Sequence, residues 1–201
     1  MANDQSSHLG LRPLRRLDSQ DIIYLEANTA QNIFRFMPIV INNSGQAAVG
    51  ATAANTPYAG VCVGFLNPSN GSVPDSMDSL SDGAFLSTTA PGRVAICVNP
   101  EMIYSVEADT GGSATAGVES IGAGASLTYL ATTGNTTTGI ANIVLDASSI
   151  AVDTAGSLLI VGLLGNVNQD GTINISSANF TKFVVKIRNH QLGQSHLSLA
   201  V

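Results

Sequence analysis

The amino-acid sequence predicts an all-β fold, an antiparallel β-barrel or sandwich with an extended N-terminal arm. Runs rich in Ile, Val, Phe and Tyr alternate with turn-forming residues at a spacing of roughly 10–15 residues, which is typical of antiparallel sheets. No segment shows the apolar periodicity of an amphipathic helix of four turns. The chain of 201 residues is long enough for one domain with a buried core.

The domain organisation follows from where the apolar runs begin and end. Residues 1–20 are polar, contain Pro13 and the cluster LRPLRR, and predict an arm without a core of its own. Such an arm is either disordered or becomes ordered on a partner. Residues 21–192 carry the strand-like runs and predict a single β-rich domain, and residues 193–201 follow as a C-terminal tail.

Local signals refine several strands. Pro38 predicts a strand start or a sheet edge, NNSGQ predicts a turn, and Gly162 predicts a kink. Residues 110–140 are rich in Gly, Ala and Thr and predict a packed loop system in which only SLTYLAT is a strand, and LDASSIA predicts a strand end and turn. In the last run, alternation places Phe183, Val185 and Ile187 on one face. The predicted strands are DIIYLEAN (21–28), NIFRFMPIVIN (32–42), YAGVCVGFLN (58–67), GAFLSTT (83–89), GRVAICV (92–98), EMIYSVEAD (101–109), SLTYLAT (126–132), IANIVLDASSIA (140–151), GSLLIVGLL (156–164) and KFVVKIRNHQL (182–192).

The charge content is low and unevenly distributed. Charged residues make up 11% of the chain, against about 25% in ordinary soluble domains, a composition common in β-rich fibrous, surface and virion proteins. The net charge of -6 argues against nucleic acid as a direct ligand. Between Phe36 and Thr181 the sole base is Arg93, so the distribution is either chance or a sign that both chain ends meet an acidic partner. The other bases are Arg12, Arg15, Arg16, Arg35, Lys182, Lys186 and Arg188.

Cysteine usage and hydropathy constrain the compartment. Cys62 and Cys97 lie inside apolar runs and predict buried reduced thiols rather than a disulfide framework. The N-terminal residues lack the apolar segment of a secretion signal. No apolar run approaches the ~18 residues that cross a membrane. We therefore expect a protein made in a cytoplasm, with no membrane partner.

Catalytic and metal-binding patterns are weak, which predicts a protein that is not an enzyme and has no cofactor. His8, His190 and His196 lack metal-ligand spacing and are expected at the surface. NVNQDGTIN (166–174) resembles part of a calcium loop, but Ser177 stands where a bidentate Glu is needed, so a β-turn is favoured. Neither thiol has a neighbouring base, no G-x-S-x-G motif is present, and the glycine-rich SIGAGASL lacks the Lys of a phosphate loop.

Three acids are the one candidate for paired catalytic carboxylates. Glu101, Glu107 and Asp109 could flank a cleft, as in polysaccharide hydrolases. Strand alternation places Tyr104 on one face and the two glutamates on the wetter face. Since two residues span about 6–7 Å of a strand, the glutamates lie too far apart to act on one bond. We therefore expect solvent-facing acids that pair with Arg93 or with a neighbouring subunit.

The order of these features resembles the small capsid decoration (cement) proteins of tailed bacteriophages. The resemblance covers roughly residues 21 to 192 and follows a polar arm with LRPLRR. It is carried by FRFMPIV followed by NNSGQAAVGAT and YAGVCVGF, by RVAICVNPEMIYSVEAD, and by a Gly/Ala/Thr-rich region before LLIVGL and FVVKIRNHQL. The departures are Asn99-Pro100, where an acidic turn would be more typical, and the long insert NPSNGSVPDSMDSLSDG.

The resemblance implies a virion protein on the outer capsid surface that binds the major capsid protein lattice, with no enzyme activity and no cofactor. It implies a homo-oligomer, and we expect a trimer at local threefold sites, with a dimer as the alternative. The basic and apolar character of the arm makes it the candidate for capsid contact. Its candidate contact residues are Leu11, Arg12, Pro13, Leu14, Arg15, Arg16 and Leu17.

Two other functions remain open on the sequence. The first is a carbohydrate- or host-binding module of the head-fibre type, which an all-β fold with a Thr/Asn/Ser surface allows. The scarcity of aromatic residues, 5% with no Trp, counts against it because sugars stack on aromatic rings. The second is a polysaccharide hydrolase acting through Glu101, Glu107 or Asp109.

Overall fold

The computed structural model describes residues 10–28, 31–66, 85–87, 92–109, 120–136, 138–151, 156–164 and 182–193. Several predicted features lie outside the described residues, namely His8, His196, the calcium-like loop, the long insert and the tail from residue 194 onward. No helix in the described parts of the chain is long and apolar enough to span a membrane.

The fold is all-β, as predicted, and is built as two antiparallel sheets of which one curls into a half-barrel. Sheet 1 has the strand order β1-β7-β11-β10-β8-β9, and sheet 2 has the order β2-β6-β5-β3-β4. A single turn of 3-10 helix at Ser19–Asp21 precedes β2. The strands are β1 (Arg12–Pro13), β2 (Ile22–Glu26), β3 (Pro38–Ile41), β4 (Ala47–Val49), β5 (Gly60–Leu66), β6 (Arg93–Cys97), β7 (Ile103–Glu107), β8 (Gly124–Asn135), β9 (Ile140–Ala151), β10 (Leu158–Leu164) and β11 (Lys182–Ile187).

In each sheet, the segment just after one strand donates a backbone hydrogen bond to the strand at the opposite edge. In sheet 1, the backbone N–H of Asp109, just after β7, donates to the carbonyl of Leu145 in β9 at 2.9 Å. In sheet 2, the N–H of Asn28, just after β2, donates to Ala47 in β4 at 2.8 Å. These bonds satisfy backbone groups that a flat sheet would leave open along its edge.

One hydrophobic core lies between the sheets. The predicted alternation of β11 is confirmed, since Phe183, Val185 and Ile187 are all buried in this core. The hydroxyl of Tyr104 in sheet 1 lies 3.6 Å from the Cys97 sulfur in sheet 2, so this contact joins the two layers. Both cysteines are free and buried, as predicted, and burial raises the pKa of Cys62 to about 12.

The Asn99-Pro100 segment is the corner where the chain passes from sheet 2 to sheet 1. The Asn99 side chain accepts a hydrogen bond from the N–H of Glu101 at 2.8 Å and donates one to Asp21 at 2.6 Å. The backbone carbonyl of Asn99 accepts from Met102 at 3.1 Å. This departure from the resembled family therefore has a structural role, because it turns the chain between layers.

Three local predictions, for Pro38, for Gly162 and for NNSGQ, are confirmed. β3 begins at Pro38, and a bulge in the β10–β11 register falls between Ile160 and Gly162. In the NNSGQ turn, the side chain of Asn42 accepts from the N–H groups of Ser44 and Gln46. These signals are local, which is why sequence alone finds them.

The prediction for the Gly/Ala/Thr-rich region is wrong in extent. Instead of one short strand in a loop system, β8 runs for 12 residues and pairs with both ends of β9, and LDASSIA is part of β9 rather than a turn. Register shifts between Gly124 and Ser126 and between Tyr129 and Gly134 interrupt the pairing. Such bulges obscure the period-2 pattern on which strand prediction depends.

Candidate interaction surface

The predicted arm is packed on the domain from Gly10 onward. The N–H of Gly10 donates to Ile143 at 3.0 Å, and the N–H of Leu11 donates to Phe36 at 2.9 Å. Gly10 has a φ of +86°, and a Cβ there would lie 2.5 Å from the Cβ of Phe36. Only glycine fits this combination of left-handed backbone and close approach.

The expectation of a coreless arm is therefore wrong for the residues around β1. Leu11 has no exposed surface and belongs to the core. Arg12 pairs with Ser105 and Pro13 with Tyr104, so β1 is an extra strand on the edge of β7. A strand of two residues has no periodicity of its own, and its pairing partner is distant in sequence. Sequence reasoning therefore had no signal for it.

Arg12 is held against the domain rather than presented to a partner. Its guanidinium carbon lies 4.9 Å from the centre of the Phe36 ring, in cation–π geometry. The side chain is half-buried, and this burial lowers the pKa of Arg12. Of the candidate contact residues, Arg12 thus contributes chiefly to fixing the segment in place.

Three of the seven candidate residues project from the surface. Leu14 is 40% exposed, Arg15 and Arg16 are exposed, and Leu17 is half-buried against the core. The N–H of Leu14 still donates to Ile103 in β7 at 3.0 Å, so the exposed side chains project from an anchored backbone. An anchored backbone lowers the entropy lost when these side chains bind a partner.

Arg15 lies beside a small network that fixes Asp21. Its guanidinium is 3.8 Å from the Asp21 carboxylate, which accepts hydrogen bonds from the Asn99 side chain and from the N–H of Asp18. The hydrogen bond from Asn99 has the largest effect and that from Asp18 the next largest, and both hold the pKa of Asp21 below its usual value. Arg16 has no ion-pair partner among the residues that the structure describes.

The fold brings the bases from both ends of the chain together. β1 and β11 flank β7 on opposite sides. Ile103 accepts the hydrogen bond from Leu14 on one side and lies opposite Lys186 on the other. We call the surface formed by Leu14, Arg15, Arg16 and Lys186 the basic edge surface. The interpretation in which both chain ends meet an acidic partner requires the ends to lie close together, and this pairing places Leu14 and Lys186 on either side of Ile103.

The three candidate catalytic acids have separate structural surroundings. Glu101 is exposed and pairs with Lys186 at 2.6 Å, rather than with Arg93. Asp109 accepts a hydrogen bond from the N–H of Ala147 at 3.1 Å. Glu107 is only 3% exposed, so the expectation of a solvent-facing acid is right for Glu101 and wrong for Glu107. The three carboxylates therefore differ in burial and in their partners.

Glu107 is a buried carboxyl whose Oε2 has no hydrogen-bond partner. It lies opposite Lys182, but the effect of burial is larger than that of this lysine, and the pKa of Glu107 is raised. Because the folded-state pKa lies above the unfolded value near 4.5, the unfolded state ionises first as pH rises. The carboxyl therefore lowers stability as pH increases from about 4.5 through its folded-state pKa.

We expect Glu107→Gln to remove this pH dependence. The Tm of the variant relative to that of the wild type should be higher at pH 7 than at pH 4, because Gln does not ionise. Thermal unfolding followed by circular dichroism at both pH values measures it. A difference that is equal at the two pH values would contradict the assignment of Glu107 as a destabilising buried acid.

His190 corrects the expectation of surface histidines. It is 4% exposed, its Nδ1 accepts from the N–H of Leu192 at 3.2 Å, and its Nε2 is buried without a partner. Burial lowers the pKa of His190, which favours the neutral ring. Within the described ranges, no group of His, Cys, Asp and Glu side chains has the arrangement of a metal site.

No family model, curated protein or solved structure matches this chain. Its function is therefore argued from its own residues. The basic edge surface is the feature in which the sequence-predicted contact residues and the fold converge. Sequence reasoning missed Lys186 as a member of this surface, although the clustering of bases at both chain ends was a signal for it.

Proposed function

We propose that this chain is a capsid decoration (cement) protein, which binds the outer surface of a phage head and stabilises the major capsid protein lattice. The observation that carries the proposal is the basic edge surface in a chain of net charge -6, where the exposed Arg16 has no ion-pair partner among the described residues and where Arg15 and Lys186 each lie beside one acid, Asp21 and Glu101. Its partner would be an acidic surface of the capsid lattice. The resemblance adds a homo-oligomer, a trimer or alternatively a dimer.

The proposed mechanism is physical rather than chemical. A subunit that binds only the assembled shell stabilises that shell by mass action. Many weak contacts on a fixed lattice act together as avidity. The hydrogen bond from Leu14 to Ile103 supports this role because it holds the backbone next to the exposed arginines against β7.

The surroundings of the acids support a binding role over hydrolysis. A glycosidase needs two carboxyl groups on either side of one bond, at about 5–10 Å. Here Glu101 is paired with Lys186, and Asp109 is bonded to the backbone of β9. The proposal accordingly involves no catalytic step, cofactor, nucleic acid or membrane.

Arg16→Glu tests the proposed surface most cleanly. Replacing Arg15 would also remove the neighbour of Asp21, whereas Arg16 has no ion-pair partner within the described chain. We expect Arg16→Glu to weaken binding to shells lacking the protein by at least about tenfold, equivalent to about 1.4 kcal/mol. Wild-type binding should also weaken as salt is raised, because these charges are exposed.

Arg93→Glu is the matched control. Arg93 is also an exposed arginine, but it lies at the start of β6 in sheet 2, away from the basic edge surface. Both variants change the net charge equally, so a general electrostatic effect would weaken both. Equal binding by the two variants would contradict the proposed surface. Deleting residues 1–20 is a poor test because it removes Leu11 from the core.

The alternative function is a carbohydrate- or host-binding module on the virion surface. Its supporting observation is Tyr24, which is 44% exposed and could stack on a sugar ring. A glycan array probed with the wild type and with Tyr24→Ala distinguishes this function. The alternative requires a glycan signal that the substitution removes, and an array without signals would dispose of it.

A further inference from the structure

The C-terminal strap, as we call residues 189–193, joins the end of sheet 1 to sheet 2. The N–H of Tyr58 donates to the carbonyl of Asn189 at 2.9 Å, and the N–H of Gln191 donates to the carbonyl of Tyr58 at 2.8 Å. The Gln191 side chain accepts from the N–H of Ile41 at 2.7 Å and donates to the carbonyl of Ile41 at 3.0 Å. The strap therefore lies beside the end of β3, which the pairing with β5 does not reach.

His190 lies at the centre of the strap, and its ring is bonded into it. The residue is 4% exposed, and its backbone forms a parallel bridge with Tyr58. Nδ1 of the ring accepts a hydrogen bond from the N–H of Leu192 at 3.2 Å, and the His190 carbonyl accepts from Gly193 at 3.0 Å. Because Nδ1 is an acceptor, the single proton of the neutral ring is on Nε2. The ring therefore completes the strap only in its neutral form.

A second proton on this ring would disrupt the strap at both nitrogens. In the imidazolium both nitrogens are donors, so Nδ1 would present a donor to the N–H of Leu192 instead of an acceptor. Nε2 is buried and has no hydrogen-bond partner among the residues that the structure describes. Burying a charge without a partner is costly, so the protonated ring is stable only where it reaches water.

The segments around the strap offer no acid that could pair with an imidazolium. Within the described chain, β3, β10 and residues 51–57 contain no ionisable side chain. Tyr58 is titratable, but burial raises its pKa to about 12, so it stays neutral. Next to the strap along the chain, Arg188 and Lys186 are cations, which oppose a further positive charge. Burial accordingly lowers the pKa of His190.

We propose that the C-terminal strap is an acid-sensitive latch, which is closed while the His190 ring is neutral and opens when the ring gains a proton. Leu192 then loses its acceptor, and the ring moves from its buried site into water. The bonds to Tyr58 and Ile41 are made by the residues on either side of His190, so they open with it. The open form presents the backbone groups of Ile41 that the closed strap covers, as at an unpaired strand edge.

This latch goes beyond the proposed function, and the pH range in which it opens follows from linkage. The pKa of His190 in the closed strap lies below the value of 6.5 for a free ring, so the open form binds the proton more tightly. The closed strap therefore contributes its full stability above about pH 6.5, and this contribution is lost as the pH falls toward the pKa of the closed form. The effect is opposite in sign to that of Glu107, which lowers stability as the pH rises.

Hydrogen exchange followed by NMR tests the latch on the purified chain. The amides of Ile41, Tyr58 and Gln191 each donate into a bond that opening breaks. Their protection factors should fall by at least about tenfold between about pH 7.5 and about pH 5, because the open ring is protonated at the lower pH. At that pH they should also be less protected than the amide of Val185 in β11, since the latch opens without the sheets.

His190→Asn is the matched control. The Asn side-chain oxygen accepts a hydrogen bond, as Nδ1 does, but the amide gains no proton. A fall in protection in the wild type, with unchanged protection in the variant, would support the latch. Equal wild-type protection at the two pH values would overturn it. The same fall in the variant would also overturn it, because the proton would then bind elsewhere, and protection equal to that of Val185 would mean global unfolding instead.

The His190 ring provides a second readout that requires no substitution. Its nitrogen chemical shifts in the wild type should show the proton on Nε2 at about pH 7.5, as the hydrogen bond from Leu192 requires. A neutral ring with its proton on Nδ1 would overturn the latch, because Leu192 would then have no acceptor to lose.

Discussion

Gly60→Ala should unfold the protein or destabilise it by at least about 4 kcal/mol, the range reached only by severe packing or backbone conflicts. Gly60 begins β5, at the centre of sheet 2, where it pairs with Ile39 of β3. A Cβ at this position would lie 1.9 Å from the backbone carbonyl oxygen of Cys97. The obstacle is backbone in a neighbouring strand, so no side-chain rotation relieves it.

Gly162→Ala is the matched control for this prediction. Gly162 also lies in a strand, but its nearest neighbours would be atoms of Val184 at 3.7 and 3.9 Å, which is ordinary contact. We expect this variant to be neutral or more stable by about 0.4–1 kcal/mol, since alanine restricts the unfolded chain. Urea unfolding of the two variants beside the wild type measures the difference. Similar midpoints for both would contradict the close contact at Gly60.

Leu11→Ala should destabilise the protein by about 2–5 kcal/mol, as expected for a large-to-small change in a core. The side chain has no exposed surface and packs in the core, although the sequence around it predicted an arm. For a domain of this size, each kcal/mol corresponds to about 2–4 °C in Tm. The experiment therefore tests whether the N-terminal segment belongs to the fold.

Leu14→Ala provides the comparison within the same segment. Leu14 is 40% exposed and lies three residues further along, so its truncation should change stability by less than about 0.5 kcal/mol. Calorimetric unfolding of both variants gives the two Tm values under one set of conditions. If Leu11→Ala were as stable as Leu14→Ala, the segment would be an arm without core contacts, as the sequence alone suggested.

The parts of the fold that the sequence predicted are those with local signals. Alternation identified the buried face of β11 and that of β7, where Tyr104 is buried, and Pro38 marked the start of β3. The glycine-rich β8 was underestimated because its pairing with β9 is interrupted by bulges. Its strand character comes from tertiary pairing, which overrides weak local propensity.

The candidate surface was only partly predictable for a similar reason. The exposed residues Arg15 and Arg16 were identified from their basic character, and the structure places both at the surface. The buried position of Leu11 and the adjacency of Lys186 depend on β1 and β11 both pairing with β7. These contacts join residues from 75 (Lys182 and Glu107) to 93 (Arg12 and Ser105) positions apart, and no local pattern encodes them.

We propose that this protein recognises an assembled phage shell through the basic edge surface. Co-sedimentation of the wild-type protein with expanded shells that lack it tests this claim most directly, with unassembled capsid protein as the comparison. We expect saturable binding to the shells that weakens as the salt concentration rises. A protein that stays in the supernatant at every concentration and at low salt would contradict it.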